Sequence, residues 1–352
     1  MNNRQYGGLD WGRMAAALLV IAIHTSPLTA YSAEADWFFT RVLARTAVPL
    51  FFIISGFFLL PAYLFTDKPD EQAQKRIRKF FLKNGRLYFA AVLLYLPLGF
   101  YAGLYQHCSL PDWLRLLLLD GTFYHLWYFP AVLTAVMLLC FLRRWLSPGQ
   151  LTGLALLLYG AGLLGDSYYG LAQQLGLLSA FYTMFFQVCS YTRNGFFMAP
   201  IFLLMGAWMG RETEQKHWQS ERLHLIDLLP AWLLFIAEAC LLRSLGWPRH
   251  DSMYLCLLPV LYGLFQLLLQ WHVSAPPVLR PLSAAMYVLH PLVIVLVRGI
   301  AKLLGLTALL VENSFLHYWT VCLSSVLLSL FWIHLQAIWN QRKRRTKTHK
   351  DG

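Results

Sequence analysis

Apolar runs of membrane-crossing length recur along the whole chain, near residues 9–29, 46–65, 87–105, 126–142, 151–165, 196–210, 228–245, 253–271, 282–300 and 317–338. A bilayer core about 30 Å thick is crossed by about 20 apolar residues wound as a helix, which satisfies its backbone polar groups internally. The polar stretches between these runs are too short to bury a core of their own. Composition agrees, with 58% hydrophobic and only 13% charged residues, against about 25% charged in soluble domains. The expected fold class is therefore all-α, a polytopic membrane bundle of about ten transmembrane helices. The fifth and sixth runs are short, so their helices begin at the interface or have ill-defined edges.

Orientation follows from the basic residues. With the N-terminus inside, twenty of the 29 Lys and Arg residues fall on cytoplasmic segments, eight fall on outer segments and span ends, and Arg13 lies within the first span. This asymmetry predicts both termini in the cytoplasm. The uncharged stretch LAQQLGLLSAFYTMFFQVCSY, 171–191, is long enough for an eleventh span, which would put the basic tail QRKRRTKTHK outside. It is therefore expected as an outer interfacial helix or a loop over the bundle mouth. Residues 1–340 are expected to form one membrane domain and 341–352 a basic cytoplasmic tail. The first run lacks a clear cleavage site and is expected to remain as a span, placing the protein in the cytoplasmic membrane as a multi-pass protein.

Several classes are disfavoured. The six cysteines, at 108, 140, 189, 240, 256 and 322, are scattered singly without metal-ligand spacing, so no metal site and no disulfide framework are expected. The formal charge of +12 is concentrated at span ends and accompanies no nucleic-acid recognition motif. It reads as topology, and the bilayer itself is the first expected partner.

Two ionisable residues in the first run carry most of the functional signal. Arg13 and His24 are eleven residues apart, which on a helix separates them by about 20° in azimuth and about 16 Å in depth. They share a face. A snorkelling arginine and a histidine bonded across helices would explain them structurally. Chemistry offers another reading: an arginine near the cytoplasmic surface can grip a phosphate, and a histidine deep in the bilayer can take a proton from a hydroxyl.

Other candidates are weaker. The loop TDKPDEQAQKRIRKFFLKNGR carries Arg76, Arg78, Lys83 and Arg86, which suit a phosphate site or a positive-inside anchor equally. At outer span ends stand Arg45 and three constellations, YHLWYFP with His125 and Trp127, YTRNGFF with Arg193 and Asn194, and PRHDSMY with His250 and Asp251. Aromatic and basic residues there are ordinary interfacial anchors, and substrate contact is the functional alternative. HDS is expected as a helix start with Asp251 or Ser252 as N-cap. Glu238 and His290 are further intramembrane ionisable groups, each open to a structural role or to substrate binding, and His334 is expected at the interface.

The arginine, ten residues and histidine of the first span, with VPLFFIISGFFLLP in the second and YVLHPL near the end, resemble the membrane acyltransferase 3 family over nearly the whole chain. That resemblance implies transfer of an acyl group, usually acetyl, from cytosolic acyl-CoA to a hydroxyl of an extracytoplasmic or lipid-linked saccharide or small-molecule acceptor. It assigns Arg13 and His24 to the essential pair, with His24 as proton acceptor or acyl relay, and implicates Arg13, Arg76, Arg78, Lys83 and Arg86 in donor binding. YHLWYFPAVLT, GDSYYGL, TRNGFFMAPIFLLMGA and HDSMYLCLLPV look like the membrane half of the membrane-bound serine racemases of vancomycin resistance. Those continue into a soluble pyridoxal-phosphate half. With none expected here, neither pyridoxal phosphate nor racemisation is expected of this chain, and a racemase-like partner would be separately encoded. The same likeness keeps a second function open, uptake or supply of a small amino acid such as L-serine, which would need a gradient and no CoA ester.

Overall fold

A computed structural model describes residues 6–66, 68–214 and 225–348. Among these the chain is helical and contains no strand. The helices are α1 (Gly7–Thr25), α2 (Ala33–Trp37), α3 (Ala47–Leu59), α4 (Pro61–Leu64), α5 (Glu71–Tyr101), α6 (Leu110–Arg115), α7 (Tyr128–Leu142), α8 (Pro148–Leu164), α9 (Tyr169–Gln174), α10 (Gly176–Val188), α11 (Ala199–Glu214), α12 (Leu229–Ser244), α13 (Leu257–Gln270), α14 (Leu279–Leu303) and α15 (Ser314–Thr348). Four helical segments are long and apolar enough to cross a membrane, Ala33–Leu59, Leu225–Ser244, Leu279–Leu303 and Ser314–Trp339, and α7, α8, α10 and α13 are shorter apolar helices. The protein is a multi-pass membrane protein.

Two expectations about element boundaries are corrected. Residues 33–45, expected as a connection, are helical: α2 passes through a π turn (Phe38–Val42) and a 3-10 turn (Leu43–Thr46) into α3. Glu34, Asp36 and Arg41 broke the apolar run in sequence, whereas Ser32 caps the helix by accepting from the Ala35 N–H at 3.2 Å. The basic residues 75–86, expected in a loop, lie on the first half of the 31-residue α5, which Asp70 starts by accepting from the Ala73 N–H at 2.6 Å. Arg4, Lys216, Arg222 and the end of the basic tail, 349–352, fall outside the described residues.

The chain forms two compact units, one of Met1–Ala47 with Trp271–Gly352 and one of Val48–Gln270. In the first, α1, α14 and α15 pack on one another. Gly7 lets α1 approach the chain after α13, since a Cβ there would lie 1.7 Å from the Val273 carbonyl oxygen. At the other end of α1, Ser26 adopts a left-handed conformation (φ 49°), its N–H closes on the Ala22 carbonyl, and Pro27 follows. Ser314 fastens this end to the start of α15, donating to the Pro27 carbonyl at 2.8 Å and accepting from the Ala30 N–H at 3.1 Å. The α1 and α14 helices therefore run the same way, and α15 runs back.

In the second unit, α3 and α11 meet through glycines. A Cβ at Gly56 would lie 2.0 Å from the Leu203 carbonyl oxygen, one at Gly206 2.0 Å from that of Ile53, and one at Gly210 2.6 Å from that of Phe57. This is the small-xxx-small solution for bringing membrane helices together where no hydrophobic force acts between them. Phe52, Phe202 and Phe265 fill the interior and are fully buried.

Candidate active site

Arg13 and His24 both lie on α1, with the buried Ala17, Val20 and Ile21 between them. The His24 ring stacks on that of His290 from α14, centroids 5.4 Å apart and planes inclined by 21°. Two histidines far apart in sequence are thus brought together in the first unit.

The position of His290 follows from its neighbour. Pro291 has no N–H, so the carbonyl of Tyr287, four residues earlier, loses its helical donor. The His290 ring supplies the replacement: Nδ1 lies 2.9 Å from the Tyr287 oxygen and 3.1 Å from that of Met286. A carbonyl can only accept, so Nδ1 carries the proton, and the neutral ring keeps its lone pair on Nε2. His290 is fully buried, whereas His24 is partly accessible. Two imidazolium charges at 5.4 Å would repel by about 3 kcal/mol at an effective dielectric constant near 20.

Arg13 does not face outward alone. Its Nη1 donates to Asp10 Oδ1 at 2.5 Å, and Arg280 from α14 brings its Nε to within 2.8 Å of both Asp10 oxygens. Neither Asp10 nor Arg280 was anticipated, since an acid three residues before an arginine and a single basic residue at a span end are common features. Arg45 is buried in the same unit, within the 3-10 turn. A third histidine was also missed. His317 on α15 is 2% exposed, its Nδ1 lies 2.8 Å from the Leu310 carbonyl, and its Nε2 has no hydrogen-bond partner among the described residues. Further along α15 the hydroxyls of Ser325 and Ser329, both fully buried, also lack one.

The donor-binding candidates of α5 do not form one cluster. Arg76 and Lys83 share a face, Arg86 lies about 80° around the helix from Arg76 and about 60° from Lys83, and Arg78 points about 160° away from Arg76. Arg78, Lys83 and Arg86 are exposed and Arg76 is half-buried.

The remaining candidates gather in the second unit, where the segments GDSYY, TRNG and HDSMY meet. Asp166 is fully buried, and its Oδ1 accepts the N–H groups of Ser252 at 2.7 Å and Met253 at 3.0 Å. The Ser167 hydroxyl donates to the Met253 carbonyl, and Thr192 donates to that of Gly162 at 2.8 Å. Arg193 donates to the Ser252 hydroxyl at 3.2 Å and lies over the rings of Tyr191 and Trp127, 4.2 and 5.4 Å from their centroids. His250 packs on Tyr191 with centroids 4.7 Å apart. Asp251 lies half-buried beside it. His125, 1% exposed, sits edge-on to Tyr95 at 4.9 Å. Nearby, burial pushes the Asp120 carboxyl up, against the opposing pull of Ser190 hydrogen bonds and of the Arg115 and Arg193 charges.

Two of these residues are committed to the backbone. Asn194 accepts the N–H groups of Phe196 and Phe197 at 2.9 and 3.1 Å and donates to the Tyr191 carbonyl at 3.0 Å, which fixes the turn into α11. Glu238 of α12 accepts the Leu255 and Cys256 N–H groups, each at 2.7 Å, and the Tyr168 hydroxyl at 2.7 Å. HDS is therefore not a helix start. Residues 250–252 are irregular, α13 begins at Leu257, and the donors just before it are satisfied by a carboxylate from a neighbouring helix rather than by Asp251 or Ser252.

Comparison with known proteins places the chain. It is 37% identical over 331 residues to an amino-acid racemase of Enterococcus faecalis, covering 93% of this chain and 45% of that protein. A second amino-acid racemase of that organism is 34% identical over 97% of this chain and 47% of its own length, and a serine/alanine racemase of Enterococcus gallinarum is 33% identical over 96% and 47%. The chain thus spans a little under half the length of the curated relatives it matches. No solved structure matches it. The acyltransferase 3 family model, described as an acyltransferase domain, matches residues 6–334, which takes in every helix of both units except the last turns of α15, and the chain belongs to that family.

Proposed function

We propose that the protein is a membrane acyltransferase that moves an acyl group, acetyl in the first instance, from cytosolic acyl-CoA to a hydroxyl of an extracytoplasmic or lipid-linked acceptor. The reading takes the ten-span topology with both termini in the cytoplasm, so that the Arg13 end of α1 faces the cytosol and His24 lies deep in the bilayer of the cytoplasmic membrane. The observation that carries it is the His24–His290 stack on the same helix face as Arg13, in a chain of this family.

His24 removes the acceptor hydroxyl proton as the oxygen attacks the thioester carbonyl. The carbon–sulfur bond breaks, and the proton passes to the departing thiolate, giving free CoA and the acyl ester. His290, anchored through Nδ1, holds the His24 ring flat against it. Arg13 supplies a charged contact for the donor phosphates, with Arg76, Lys83 and Arg86 of α5 as further contacts. Trp127, Arg193 and His250 offer an aromatic and cationic surface for the acceptor. A second reading is a membrane module for uptake or supply of an amino acid such as L-serine, with or without a partner protein; the relatives' names, amino-acid racemase and serine/alanine racemase, share only the amino-acid class with it.

Purified protein in vesicles, given labelled acetyl-CoA and a panel of hydroxyl acceptors, separates the two. CoA thiol release that requires both an acceptor and His24 supports acyl transfer. Gradient-driven L-serine uptake without CoA release would replace it.

A further inference from the structure

The Asp10 carboxylate at the N-terminal ends of α1 and α14 receives more positive charge than a helix tie requires. It is 5% exposed and flanked by two guanidinium groups, Arg13 through Nη1 at 2.5 Å and Arg280 through Nε at 2.8 Å to each oxygen. One negative charge against two positive ones leaves the cluster a net single positive charge. The Arg280 side chain is 53% exposed, and because Nε alone serves Asp10, its terminal nitrogens donate no hydrogen bond among the described residues. A guanidinium held along its Nε edge presents the planar pair of Nη groups outward, the geometry that grips two oxygens of a phosphate.

We propose that Arg280 is a second donor-phosphate arginine, positioned by Asp10 beside Arg13 and presenting its terminal nitrogens to a phosphate group of the donor. The assignment rests on the acyl-CoA reading above. It makes Asp10 a positioning residue whose carboxylate orders both arginines before the donor arrives, so that less side-chain freedom is lost on binding. A purely mechanical role, with Arg280 only clamping α14 to α1, predicts a loss of stability on substitution and no discrimination between ligands with and without phosphate.

Equilibrium binding of CoA and of pantetheine to the purified full-length protein tests this without knowledge of the acceptor. Arg280→Gln is expected to weaken CoA binding tenfold or more while leaving pantetheine binding within twofold. Arg280→Lys, which keeps a cation near Asp10 but loses the fork, is expected to weaken CoA binding by a few fold and serves as the check if the glutamine variant unfolds. Equal weakening for both ligands, or no change for either, would overturn the assignment while wild-type CoA binding kept the acyl-CoA reading intact. Absence of CoA binding to the wild-type protein would overturn that reading and the assignment with it.

Discussion

Both units bury polar side chains, but they spend them differently. In the Val48–Gln270 unit the carboxylates of Asp166 and Glu238 and the amide of Asn194 close backbone donors, so each behaves as part of the scaffold. In the other unit the His24–His290 stack and the Arg13–Asp10–Arg280 cluster join side chains to side chains, and the Arg280 side chain is 53% exposed. Groups committed to the backbone determine whether a fold exists, whereas side chains joined to other side chains can exchange partners and meet a substrate. Loss of activity should therefore separate from loss of stability along the same line.

The largest effect is expected at His24. His24→Ala should lower acyl transfer by about 100-fold to 10,000-fold, the range for removing a general base, with thermal unfolding in detergent shifted by no more than a few degrees. Equal turnover in the variant would remove His24 from the chemistry. Asp166→Ala tests the opposite side of the comparison. It strands two buried N–H groups, each costing about 1–3 kcal/mol, so unfolding should move sharply and activity should fall only with the folded fraction. A stable, inactive Asp166→Ala protein would break the distinction by giving that carboxylate a direct role.

Glu238→Gln is a milder probe of the same idea. The amide nitrogen cannot accept, so at least one of three hydrogen bonds is lost, and stability should drop by about 1–2 kcal/mol without a change in the Michaelis constant for either substrate. The smallest effect lies at the start of α6, where hydrogen bonds from the side chain and backbone of Ser109 hold the Asp112 carboxyl below its usual range. A depressed carboxyl stabilises the folded cap above its ordinary titration range near pH 4 and stops doing so as pH falls through its folded value. Amide exchange at Ser109 should accordingly speed up on acidification from pH 5 to pH 3, and Asp112→Asn should abolish that dependence.

The sequence made some of this legible and hid the rest for identifiable reasons. Helical periodicity alone put Arg13 and His24 on one face, and the structure adds Ala17, Val20 and Ile21 as the buried residues between them. His290 stood out as an intramembrane histidine, but its pairing with His24 depends on how α14 packs against α1, which no local pattern encodes. Arg280 looked like any basic residue at a span end. The start of the Ala33–Leu59 segment was masked by Glu34, Asp36 and Arg41, of which Asp36 turns out to be buried and to accept the Leu28 N–H at 3.0 Å. HDS misled because a capping residue type is informative only when the backbone after it is helical, and the donors there are met from α12 instead.

The Asp10–Arg280 contact links residues 270 positions apart, and the unit it closes is interrupted by the entire Val48–Gln270 segment. During synthesis α1 is complete long before α14 exists. Through that interval Arg13 and Asp10, one helical turn apart, already neutralise each other, so the first helix carries no isolated charge at this end. Arrival of Arg280 then converts a local pair into a three-member cluster, so that synthesis of α14 becomes the event that completes this end of the unit.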